Sequence, residues 1–109
     1  MKEVEWYVNT LKEVQGFPVE IKKEIGYLIH KLQLGDLLNM PHSRSMSSVA
    51  TGCHELRVKG SDGIYRVFYI LKVKNKVIVF HVFKKKSQQT PKKEIDAAKK
   101  NLKEMLDDN

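Results

Sequence analysis

Residues 53–94 carry three β-patterned runs, then a lysine cluster and a proline-started helix, and that order restricts the fold more than any other feature of the chain. The runs at 53–59, 64–73 and 76–84 are rich in β-branched and aromatic residues. The turn signals Gly60-Ser61-Asp62-Gly63 and Lys74-Asn75 between them predict an antiparallel meander. Counting outward from the turns sets the register. A four-residue first loop puts Lys59 opposite Ile64 and Arg57 opposite Arg66, and a two-residue second loop puts Phe68 opposite His81 and Arg66 opposite Phe83.

Period-two alternation then assigns Glu55, Arg57, Arg66, Phe68, His81, Phe83 and Lys85 to one side of the sheet. Leu56, Val58, Tyr65, Val67, Tyr69, Ile78, Phe80 and Val82 fall on the other. The second set is apolar enough to take the helices, which leaves the first as an open working surface. Like charges directly opposite one another destabilise a sheet, so Arg57 facing Arg66 predicts an anionic occupant, and RNA phosphate is the reading.

The flanking segments read as helices. Val4, Tyr7, Val8 and Leu11 recur at helical spacing and predict a short helix over 3–14 closed by Gly16. Pro18 opens a longer one over 19–34, with Ile21, Ile25, Leu28, Ile29 and Leu32 as its apolar stripe and Gly35 as C-cap. Residues 36–52, with Pro41 and a serine-rich stretch, read as a loop whose His42 and Arg44 are either RNA contacts or simply solvated. Thr90 as N-cap and Pro91 at the first helical position predict a last helix over 91–106. The expected class is α+β: two N-terminal helices, an antiparallel sheet of three or more strands and a C-terminal helix, in one domain over 1–109.

Composition narrows the partners. A net charge of +7 favours nucleic acid first, an acidic protein second and a membrane surface a distant third. Its distribution helps, because Lys84, Lys85, Lys86, Lys92 and Lys93 cluster with only Glu94 to offset them. No apolar run approaches the ~20 residues of a spanning helix, and the first residues hold no signal-peptide core, so a cytoplasmic protein with no membrane association is expected. Cys53 is alone and reads as a packing residue; His30, His42, His54 and His81 are scattered, so neither a structural metal nor a cofactor is expected.

The arginine face has the groups that RNA cleavage needs. Two guanidinium groups can grip a phosphate bidentately and stabilise the added negative charge of a pentavalent transition state. Phe68 and Phe83 can stack on an unpaired base, and His81 is the residue there that titrates near neutrality, with lysine as an alternative acid. Each has a plainer reading: His81, Phe68 and Phe83 as core, Arg57 and Arg66 as partners of Glu55, and Lys84, Lys85 and Lys86 as sheet-edge protection. Against it stand Lys92 and Lys93 in the first turn of the last helix, where positive charge opposes the helix dipole and an anion would relieve it.

Several of these pieces together carry a resemblance. Glu55-Leu56-Arg57, Tyr65-Arg66-Val67-Phe68-Tyr69, and His81-Val82-Phe83-Lys84-Lys85-Lys86 running through Ser87-Gln88-Gln89 to Thr90-Pro91, with Glu94, Ile95 and Ala98 after it, resemble the phage-derived Gp49-like, HigB-type branch of the RelE toxin superfamily. Pro41-His42-Ser43 and the long second helix are also similar, whereas His54 stands where an aromatic is common in that branch. The resemblance implies the toxin of a type II toxin–antitoxin pair, an endoribonuclease that cleaves messenger RNA on the ribosome without a metal, by attack of the 2′-hydroxyl on the adjacent phosphate. It implies a partner antitoxin, of helix-turn-helix type, and carries roles onto Arg57, Arg66, Lys84 and Lys85. His81 and Lys85 are then the candidates for proton transfer, and Lys84, Lys86, Phe83, Phe68, Arg44, Lys92 and Lys93 for RNA contact. The rival expectations are a non-catalytic module binding RNA or an acidic protein, and a phage regulatory or structural protein that has lost activity.

Overall fold

The strands over 53–60, 63–70 and 76–85 pair as the antiparallel meander that the turn signals predicted. The computed structural model describes residues 1–71 and 75–107, in the order β1 (Glu3–Trp6), α1 (Thr10–Gln15), α2 (Val19–Gln33), β2 (Ser43–Ser45), β3 (Cys53–Gly60), β4 (Gly63–Ile70), β5 (Lys76–Lys85) and α3 (Lys92–Asp107). The five strands make one sheet in the order β1-β5-β4-β3-β2, a mixed sheet because β1 runs parallel to β5. Asn75 sits at φ 60°, the left-handed region that a tight turn favours. Lys72, Val73 and Lys74, part of the predicted second strand and turn, lie outside the described residues.

The register predicted across the first turn holds along its whole length: Arg57 faces Arg66 and Lys59 faces Ile64. The second pairing holds from Ile64 to Phe68, with Phe68 opposite His81 and Arg66 opposite Phe83, and then slips by one, so that Tyr69 faces Val79. Phe80 is the extra residue on β5. A bulge of this kind inverts the facing of everything beyond it, which places Val77 and Val79 on the side expected for Ile78 and Phe80.

That inversion corrects the expectation of one covered and one open face. On one side Leu56, Val58, Tyr65, Val67, Tyr69, Val77, Val79 and Val82 pack against the α2 stripe Ile21, Ile25, Leu28, Ile29 and Leu32. On the other, Phe68, Ile70, Ile78, Phe80 and Phe83 pack against Ala98 and Leu102 of α3, with Met46 and Val49. The sheet is therefore roofed on both faces. At about 2 kcal/mol for each of the five buried stripe residues, the α2 contact is what holds a helix that would be marginal alone.

Three smaller expectations also change. The helix predicted over 3–14 is instead a strand followed by a short helix, because Val4 and Trp6 alternate onto the α2 side against Val77 and Val79 while Val8 and Leu11 remain exposed. Asn9, at φ 69°, breaks the backbone between the two. Within the predicted loop, Ser43–Ser45 adds an edge strand to β3. Gly35, at φ +96°, takes the position after the cap residue of α2, and the Gly35 and Asp36 amides close onto the carbonyls of Leu32 and Lys31, a Schellman arrangement.

Candidate nucleic-acid interface

Two rows of side chains cross the face that α3 partly covers. One runs Arg44, Glu55, Phe68, His81 from β2 to β5, and the next runs Arg57, Arg66, Phe83 from β3 to β5. The edge strand missed by sequence pattern is what places Arg44 beside Glu55. Three guanidinium groups thus surround one buried carboxylate, and they are close enough that Arg57 and Arg44 disfavour the charge on Arg66.

Burial decides how these groups can act. Arg66 and Glu55 are both fully buried, which corrects the expectation of two guanidinium groups on an open surface. Arg66 Nη1 donates to the Gln89 carbonyl at 3.1 Å and to Thr90 Oγ1 at 3.5 Å, and Nη2 donates to the Ser87 carbonyl. Arg57 Nη2 donates to the Gln88 carbonyl at 2.8 Å, and its Nε lies 3.4 Å from Glu55 Oε1. Desolvation pushes the Arg66 pKa down while the Glu55 carboxylate pushes it back up. Two buried polar atoms keep no hydrogen-bond partner among the described residues, Glu55 Oε1 and Arg66 Nε.

Thr90 does not cap α3 as predicted. Its hydroxyl donates to Glu55 Oε2 at 2.8 Å, and the Pro91 carbonyl instead accepts from the amides of Glu94 and Ile95 at the start of α3 (Lys92–Asp107). Residues 87–90 therefore form a strap tied to both arginines and the glutamate. Nothing in the sequence pattern marks a strap whose backbone carbonyls do the binding, because every residue type has that carbonyl.

The remaining candidates divide. Phe68 and Phe83 meet edge to face with centroids 5.7 Å apart, Phe68 fully buried and Phe83 nearly so, with the Arg66 guanidinium 5.5 Å above the Phe83 ring. His81 is part-buried: its Nε2 lies 2.8 Å from Glu94 Oε1 and its Nδ1 accepts from Asn101 Nδ2 at 3.4 Å. Lys85 is exposed on the arginine side, two residues beyond Phe83. Lys84 points to the opposite side, where it pairs with Asp62 at 3.1 Å and lies over Tyr65. That pairing holds the Asp62 carboxyl below and the Lys84 ammonium above their usual ranges, through the hydrogen bond between them. Lys86 and Lys93 are exposed, and Lys92 pairs with Asp96 one helical turn on. The predicted lysine cluster is split between two faces and a helix end.

Beside Arg57 opens a cleft of about 520 Å³, lined by Glu24, Met40, Pro41, His42, Val58, Lys59, Ile64 and Gln88. Among the described residues no group of three or more His, Cys, Asp or Glu is placed to hold a metal ion, and no helix is long and apolar enough to cross a membrane.

Taken together, the mixed sheet and the guanidinium cluster describe an α+β protein with a basic site roofed by its own β5–α3 connection. Residues 12–103 match the family described as Phage derived protein Gp49-like, and the chain belongs to that family. The family is commonly related to toxin–antitoxin systems. No curated protein matches the chain.

Proposed function

We propose that this protein is the toxin of a type II toxin–antitoxin pair and cleaves messenger RNA on the ribosome. One observation carries the reading: Arg44, Arg57 and Arg66 converge on one face with a single carboxylate, Glu55, among them. A site with that surplus of positive charge is suited to a phosphodiester, whose oxygens accept paired N–H donors. Family membership supports the same class of activity, with the RelE-like fold and the HigB-type assignment as part of the proposal.

In this reading Arg57 grips the scissile phosphate and Arg66 stabilises the charge that builds as the 2′-hydroxyl attacks it. The cleft beside Arg57, which Val58 and Ile64 help to line, takes a flanking nucleoside. Of the two proton-transfer candidates, Lys85 has the better position, because it is exposed on the arginine side while both ring nitrogens of His81 are engaged. Lys86, exposed beyond β5 (Lys76–Lys85), extends the path for the RNA backbone. A helix-turn-helix antitoxin would cover the basic face or hold the toxin off the ribosome in the cytoplasm.

A second reading, a module that binds RNA without cutting it, is favoured by the engagement of His81 with Glu94 and Asn101. Induction in a bacterium separates them. Growth arrest with cut transcripts, lost in Arg57→Ala, supports the toxin; harmless expression of the parent protein, or an Arg57→Ala variant as toxic as the parent, sinks it.

A further inference from the structure

The guanidinium groups that should hold a phosphate are already occupied, by three successive carbonyls of the chain itself. Arg66 donates to Ser87 and Gln89, and Arg57 donates to Gln88. Three further bonds keep the segment in place: Thr90 Oγ1 to Glu55 Oε2 at 2.8 Å, Arg66 Nη1 to Thr90 Oγ1 at 3.5 Å, and Ser87 Oγ to the Gln89 carbonyl at 2.9 Å. We propose that residues 87–90 are an autoinhibitory strap whose carbonyls stand in for phosphodiester oxygens, and that RNA engages Arg57 and Arg66 only when the strap lifts. The proposal rests on the RNA reading of the site and adds its regulation.

The chemistry favours exchange. A neutral carbonyl is a weaker partner for a guanidinium than an oxyanion, and charge-assisted bonds are roughly twice as strong. The closed strap leaves the surplus of arginine over glutamate uncompensated, and it leaves the Arg66 Nε–H buried without an acceptor. A phosphate entering from the solvent side of Arg57 brings the missing charge and takes over donors the carbonyls now hold. The strap is also the part of the site that can move at low cost, because Ser87, Gln88 and Gln89 are exposed and outside any helix or strand. The hydroxyls of Ser87 and Thr90 set the closed population, since Ser87 Oγ folds the strap onto the Gln89 carbonyl that Arg66 also holds and Thr90 Oγ1 ties its end to Glu55, and neither is a guanidinium that RNA needs.

Two variants loosen the strap without removing a guanidinium, Thr90→Val and Ser87→Ala, and the exposed Ser87 carries no risk to folding. The probe is a single-stranded oligoribonucleotide with methylated 2′-hydroxyls, which binds and is not cut. If the closed strap competes with RNA, apparent affinity is the intrinsic affinity multiplied by the open fraction, so each variant, by raising that fraction, should bind roughly 3- to 10-fold tighter than the parent. In ¹⁵N NMR of the parent, the amides of Gln88, Gln89 and Thr90 and the Arg66 Nε–H should shift together on titration with either the oligonucleotide or inorganic phosphate. Neither variant binding tighter, or the oligonucleotide bound with the 87–90 signals unmoved, overturns the strap and leaves the ribonuclease reading standing. Strap signals that move with inorganic phosphate in a protein that neither retains nor cuts RNA support the strap and remove the ribonuclease reading.

Discussion

Arg57 and Arg66 face each other across β3 and β4, yet their surroundings give them different consequences on mutation. Arg66 is fully buried beside Glu55, which favours its charge, and it holds the Ser87 and Gln89 carbonyls and Thr90, so Arg66→Ala removes a buried cation together with its bonds to the strap and should cost about 3–5 kcal/mol in a denaturant titration. Arg57 keeps 12% of its side chain exposed, and Arg57→Ala should cost about 1 kcal/mol while weakening RNA binding. A pair of variants equal in stability would show that burial has been misjudged at one of them. Cys53 gives a second residue-scale test. Burial, reinforced by Glu55, pushes its thiol from an ordinary value near 9 up to about 12. A raised folded pKa means that the unfolded thiol ionises first. Stability is therefore intact below about pH 9 and falls above it, by about 1.4 kcal/mol per pH unit until the folded thiol itself titrates. Urea midpoints taken from pH 8 to 11 should fall less steeply in Cys53→Ala than in the parent, and parallel curves would contradict the burial argument.

At the scale of elements, the bulge at Phe80 controls which side chains reach which layer. Its carbonyl leaves the regular ladder and accepts instead from Asn101 Nδ2 of α3 at 2.9 Å. Asn101→Ala should strand that carbonyl and cost about 1–2 kcal/mol in thermal or chemical unfolding, with a larger effect than an exposed α3 change such as Lys99→Ala. The same bulge marks where sequence reading stops. Alternation and turn length were enough to place Arg57 opposite Arg66 and Phe68 opposite His81, because antiparallel pairing propagates register from a turn. They could not show an inserted residue, which carries no composition signal when it is a phenylalanine among valines. Nor could they show β1, whose apolar spacing fits a helix as well as a strand and whose partner strand lies some seventy residues away. Residues 43–45 are too short and too polar to read as a strand, and only their pairing with β3 brings Arg44 into the site.

For the whole molecule, the net charge of +7 overstates what one partner can feel. Lys76 pairs with Glu5, Lys84 with Asp62 and Lys92 with Asp96, and Lys84 stands on the side of the sheet away from the arginines. The charge left for RNA is concentrated in Arg44, Arg57, Arg66, Lys85 and Lys86, along one side and the end of β5. Each phosphate neutralised on a single strand contributes about −0.7 to the slope of log affinity against log salt, so engagement of four or five phosphates gives a slope of roughly −3. Removing one true phosphate contact lowers that slope by about 0.7, whereas removing a lysine on the other face changes it little. Filter binding of the methylated oligonucleotide over a range of salt should therefore give a shallower line for Arg57→Ala and an unchanged one for Lys84→Ala. If Lys84→Ala flattens the line as much as Arg57→Ala does, the RNA wraps the sheet edge and the path along the arginine rows is wrong. If neither changes it, the guanidinium cluster serves only to fasten the strap, and its surplus charge has no part in binding.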